Sequence, residues 1–256
     1  MVLIQNKGVW GIILAEFIVE LISNIVLLLA LLNNIKFKFS LSESKKLILF
    51  GFPLIFQNIS GFLLNYADSY FLKFFTTTTE VGIYNLGYKF GIVLQILLIF
   101  PLKMVWSPMW LSVKDKSFAN DYYSKMLTYF LFIAFIFVLL LSVSSKEIIK
   151  LISNKEYWSA YIIVPYITLS YLFLGAQRIV SIGIALKRKT KYNAIIFVIA
   201  TILNLILNYA LIPKYEMLGA AIATLLSFAF IFIMKYYISG KLYKINYEWD
   251  RILKMI

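Results

Sequence analysis

Along this chain, apolar stretches of roughly 20 residues alternate with short polar segments rich in Lys, Ser, Thr and Asn. A helix rises 1.5 Å per residue and the hydrocarbon core of a bilayer is about 30 Å thick, so each such stretch is long enough to cross it. The pattern predicts seven membrane-spanning helices, at Gly8–Leu32, Phe50–Leu72, Leu86–Trp106, Met126–Val143, Tyr161–Leu186, Tyr192–Ile212 and Met217–Ile238. The expected fold class is therefore all-α integral membrane. The first span is too long for a signal peptide and has no small-residue cleavage site after it, so it is expected to stay in the mature chain.

Polar residues interrupt these helices at helical spacing. Asn58, Gly61, Asn65 and Asp68 follow one another at i, i+3, i+7 and i+10, a single face of the second span. Glu16, Glu20 and Asn24 form a similar stripe on the first span, and Thr201, Asn204 and Asn208 one on the sixth. Gln177 and Ser181 lie one turn apart beside Arg178. A carboxylate in lipid is costly, so these faces are expected to turn inward and line a water-filled cavity carrying both signs of charge. The plainer alternatives are an Asp68 that touches interfacial water at a helix end, and amides that only bridge neighbouring helices. Gly51-Phe52-Pro53, Pro165 and Gly82, Gly87 and Gly91 are expected to give bends and close helix approaches.

Composition narrows the chemistry. The chain is 62% hydrophobic and 14% charged, against about 25% charged in an ordinary soluble domain. It has no Cys and no His, which removes disulfides, thiolate or imidazole metal sites and triads built on either residue. No cofactor is expected. A net charge of +13 would suggest nucleic acid in a soluble protein, but here it follows membrane orientation. Sixteen Lys and Arg, Lys235 just inside the end of the last span among them, are counted as anchors on one side and six on the other, which places the N-terminus outside and the C-terminus in the cytoplasm. Lys89, Lys103 and Arg178 lie within spans. Lys103 is close enough to its helix end to snorkel to the headgroups, Lys89 could do so outward, and Arg178 is deep enough to need a cavity or a partner.

The segments "FGFPLIFQNISGFLLNYADSYFLKFF" and "EVGIYNLGYKF" together resemble the start of the C-terminal lobe of polysaccharide flippases. These belong to the multidrug, oligosaccharidyl-lipid and polysaccharide exporter superfamily. "NYALIPKYEMLGAAIATLLSF", Asn208–Phe228, is similar to the last helical hairpin of that lobe, except that Glu216 stands where the family usually has Gly. The resemblance implies the last seven helices of a twelve-helix, two-lobe exporter. On that plan, residues 1–32 are the final helix of a missing N-terminal lobe, 33–49 a basic cytoplasmic linker, 50–238 a six-helix transport lobe and 239–256 a cytoplasmic tail.

The activity so implied is translocation of a polyprenyl-pyrophosphate-linked oligosaccharide across a bacterial cytoplasmic membrane for O-antigen or capsule synthesis. Its partners are the lipid-linked glycan, membrane lipids and the missing lobe, with no nucleic acid, and no enzymatic step is expected. A pyrophosphate calls for cations, which nominates Arg178 and then Lys89, while Asn58, Asn65 and Gln177 would meet sugar hydroxyls. Asp68 would pair with a cavity cation or carry a coupling proton. A drug or cation exporter, an integral-membrane glycosyltransferase or polymerase, and a remnant of a disrupted gene are the competing readings.

Overall fold

The computed structural model describes residues 8–32 and 40–255. Among them the regular structure is entirely helical. The chain divides into two compact units, Met1–Leu49 and Phe50–Ile256. The first holds α1 (Gly8–Leu32), which coincides with the first expected span. There Asn24 Nδ2 donates to the Glu20 carbonyl of its own helix.

In the second unit the helices are the latter part of α2 (Leu41–Phe75), then α3 (Thr78–Leu94), α4 (Phe100–Val113), α5 (Ala119–Ile152), α6 (Val164–Val180), the short α7 (Ile182–Leu186), α8 (Lys191–Leu242) and α9 (Trp249–Met255). The linker expected at 33–49 falls partly outside the described residues, and its end is helical: Leu41–Leu49 runs without a break into Phe50, through Gly51-Phe52-Pro53. Among the described residues, five stretches are long and apolar enough to cross a membrane: Ile13–Leu31, Thr78–Val113, Ala119–Ile152, Val164–Leu186 and Lys191–Leu242. Helix α2 also carries a long uncharged apolar run, residues 47–64, ahead of Asn65 and Asp68. At 52 residues α8 would be about 78 Å long if straight, more than two bilayer cores. It is broken at Glu216, whose φ of 49° and ψ of −129° are not helical, so its two halves form the two final spans.

Local chemistry explains two further breaks. Thr77 caps α3 by accepting from the Glu80 N–H at 3.3 Å, the Thr-x-x-Glu spacing of a capping box. Between α3 and α4 the ladder widens into a π-turn at Gln95–Ile99, where the Phe100 N–H reaches back five residues to the Gln95 carbonyl. Pro101 accounts for it: it has no N–H for the Leu97 carbonyl, and its ring crowds that turn.

Helix α6 is the axis of the unit. Its span is 61% buried, against 33–39% for the spans that begin at Thr78, Ala119 and Lys191. Helix α3 reaches it at Gly91, where an added Cβ would stand 2.4 Å from the Tyr171 ring. Tyr84, Tyr123 and Tyr171 fill the centre, each nearly or fully buried.

Candidate functional site

Asp68 is fully buried, and both of its oxygens are occupied. Oδ1 accepts from Asn208 Nδ2 at 2.6 Å and from Asn204 Nδ2 at 3.5 Å. Oδ2 accepts from the Tyr84 hydroxyl at 2.6 Å and from Thr224 Oγ1. The donors come from α3 and from both halves of α8, so one carboxylate fastens four helical segments together. Protein donors take the place of its hydration shell, which lets a polar group lie in an apolar bundle. In this structure Asp68 is enclosed by protein groups and is in the wall of neither of the cavities beside it. The polar stripe of α2 divides by depth, with Asn58 exposed, Asn65 half-buried and Asp68 sealed.

A cavity of about 380 Å³ opens at the basic end of the unit, among α2, α4, α6, α7 and α8. Gln177, Arg178, Lys103 and Lys235 stand in its wall, and among the described residues no carboxylate does. Lys235 is 4% exposed. Its Nζ donates to Gln177 Oε1 at 2.6 Å and lies 5.0 Å from the centre of the Phe197 ring. Arg178 Nε is buried with no hydrogen-bond acceptor among the described residues. The two cations are brought together by the contact just below them, where the Gly183 N–H donates to Ser239 Oγ at 2.8 Å. A Cβ at position 183 would lie 2.4 Å from the Ser239 carbonyl, so only glycine allows α7 and α8 to come this close. Lys235 is one turn above Ser239, which sets it against Gln177.

A second cavity, of about 500 Å³, lies farther along the same helices, away from the basic end. Asn65, Tyr66, Ser69, Asn85, Tyr88, Lys89 and Gln95 are in its wall. Tyr88 donates to Asn65 Oδ1 at 3.2 Å, and Ser69 to Asn85 Oδ1 at 3.1 Å. Tyr84 and Tyr171 close its inner side. Tyr84 therefore separates this cavity from Asp68.

The six residues expected to act together are distributed over four places. Gln177 and Arg178 share the basic cavity, Asn65 and Lys89 the second cavity, Asp68 is in its sealed cluster, and Asn58 lies in the wall of neither cavity. Lys103, expected to snorkel, is exposed and also lines the basic cavity. Lys235 was counted among the cytoplasmic anchors. Its sequence signal was its place on the apolar face between Ile231 and Ser239, at i and i+4 from each. The partners of Asp68 on α8 were visible as a polar stripe, but nothing in the pattern joined Tyr84 or Thr224 to it.

Comparison with known proteins agrees with the resemblance read from the motifs. The sequence model of the family described as polysaccharide biosynthesis protein matches residues 1–114. A probable low-salt glycan biosynthesis flippase of Haloferax volcanii is 22% identical over 219 residues, which is 83% of this chain and 46% of that protein. An uncharacterized membrane protein of Methanocaldococcus jannaschii is 25% identical over 224 residues, 84% of this chain and 44% of its own length. The chain thus spans about half the length of the curated relatives it matches. No solved structure matches it.

Proposed function

We propose that this chain, which resembles the polysaccharide biosynthesis proteins, is a transport lobe of a flippase that moves a polyprenyl-pyrophosphate-linked oligosaccharide across the cytoplasmic membrane. The observation that carries the proposal is the basic cavity: Arg178, Lys235 and Lys103 converge there without a carboxylate. Three cations in a membrane-embedded wall repel one another unless an anion joins them, and a pyrophosphate supplies the charge and the acceptor oxygens. A guanidinium whose Nε has no acceptor among the described residues and an ammonium with one neutral amide as its acceptor both keep N–H donors for phosphate oxygens.

The cavity lies at the end bearing the basic loops, which on the positive-inside rule is cytoplasmic, where such a lipid is assembled. Transport would follow from one lobe rocking against another so that the cavity faces each side in turn. The N-terminus is then outside and the C-terminus inside, and the protein acts as a transporter rather than an enzyme. A drug or cation exporter would call for a net acidic cavity, and the three cations favour the anionic cargo. In cells whose surface glycan depends on this protein, Arg178→Ala is expected to abolish glycan export with protein abundance in the membrane unchanged, and Arg178→Lys to restore part of it. Normal export by Arg178→Ala would remove the proposed role of the cavity.

A further inference from the structure

The second cavity differs from the first in chemistry. Among the described residues it has one cation, Lys89, no carboxylate, and a wall of tyrosines, amides and a hydroxyl. We infer that it is a carbohydrate subsite, which takes a neutral sugar unit of the cargo while the basic cavity takes its phosphates. The inference rests on the proposed function above.

Sugar recognition needs two kinds of surface. The C–H face of a pyranose packs on an aromatic ring, and its hydroxyls pair with groups that both donate and accept. Tyr66 supplies an accessible ring, 54% exposed and backed by Phe62, whose centroid is 4.7 Å away. Among the described residues Asn85 uses only its carbonyl oxygen, accepting from Ser69, which leaves its amide donors for a ligand. Gln95 enters this wall at ordinary helical spacing, three residues after Ile92 and seven after Tyr88, and beyond the π-turn Lys103 and Trp106 line the other cavity. An amide in that position would otherwise be a pure cost in a membrane-spanning helix, which argues for a ligand that uses it.

Spacing supports the division of labour. On α6, Tyr171 closes the sugar cavity and Arg178 lines the basic one, seven residues or about 10 Å apart along one face. On α2, Asn65 and Gln57 repeat the arrangement at eight residues, about 12 Å. A sugar bonded directly to a pyrophosphate reaches across such a gap within one or two units.

The test uses the absence of native cysteine, which makes any introduced thiol the only label site. Gln95→Cys reports on the sugar cavity and Ser107→Cys, in the wall of the basic one, on the phosphate cavity. The probes are inorganic pyrophosphate and the oligosaccharide released by mild acid from the host's lipid-linked glycan pool. The oligosaccharide is expected to slow thiol labelling of Gln95→Cys at least fivefold and to leave Ser107→Cys unchanged, with pyrophosphate doing the reverse. Adding Tyr66→Ala is expected to abolish the sugar protection alone. If Gln95→Cys does not accumulate, Asn85→Cys takes its place. Absence of sugar protection at both positions, or protection that survives Tyr66→Ala, overturns the subsite. Absence of pyrophosphate protection at Ser107→Cys counts against the proposed function, through an independent readout.

Discussion

The protein holds buried charge in two places and treats it in opposite ways. Around Asp68 every oxygen is met by the protein's own donors, from α3 and both halves of α8. Around Arg178 and Lys235 the charges are gathered into a cavity with one amide between them and no counter-ion in the wall. A satisfied carboxylate holds helices together, whereas unneutralised cations beside open space are arranged for something that arrives. Burial alone would have ranked Asp68 as the functional group. The number of partners reverses that ranking.

The largest expected effect breaks the first region. Asp68→Ala leaves up to four buried donors without an acceptor, at about 1–3 kcal/mol for each that finds no other. Membrane abundance is expected to fall severalfold and the remaining protein to unfold at lower temperature. Asp68→Asn should be intermediate, since its amide accepts at one end and confronts donors at the other. Arg178→Ala removes a group with little internal bonding, so its abundance should match the parent. Equal losses for Asp68→Ala and Arg178→Ala, measured by immunoblot and thermal unfolding in detergent, would erase the distinction between the two regions.

A smaller effect sharpens the second region. Lys235→Met keeps the length of the side chain and removes Nζ, leaving Gln177 Oε1 without its donor. Pyrophosphate should then protect Ser107→Cys only at about tenfold higher concentration, a difference of about 1.4 kcal/mol. Gln177→Leu, which keeps the charge and frees its position, should shift protection by twofold to threefold. An unchanged concentration dependence in Lys235→Met would mean that the ammonium serves the packing of α6 on α8 and not an anion.

How much of this was legible in the sequence follows from what each group depends on. Apolar runs and their limits rest on local hydropathy, and α1 and the two halves of α8 were found from it. Helix α2 was found from it too, at Phe50–Leu72, but its first turns from Leu41 lie in what the sequence offered as the linker. Asn204 and Asn208 were readable as a face but not as partners of Asp68, because bonds across 136 and 140 residues leave no periodic trace. Lys235 was misplaced for a related reason. A lysine four residues from Ser239 reads as a helix-end anchor until Gly183 brings α7 against that turn and encloses it.

The smallest effect tests the joint on which the sealed region depends. Glu216 separates the half of α8 that carries Asn204 and Asn208 from the half that carries Thr224, and it does so with φ at 49° and ψ at −129°. A side chain in that region costs about 1–3 kcal/mol, and glycine occupies it without the clash. Glycine also gives the unfolded chain more freedom, which offsets roughly 0.5–1 kcal/mol of the gain. Glu216 is in addition near enough to Glu80 for their like charges to interact, and the substitution removes that repulsion. Glu216→Gly is therefore expected to stabilise the protein by about 1 kcal/mol, seen as a rise of a few degrees in its unfolding temperature. Because the joint serves the Asp68 cluster and not the basic cavity, pyrophosphate protection of Ser107→Cys should stay the same. A lower unfolding temperature would show that the glutamate side chain holds the hairpin through contacts worth more than the backbone strain. A change in pyrophosphate protection would show that the hairpin joint and the basic cavity move together, and that the two regions are not independent.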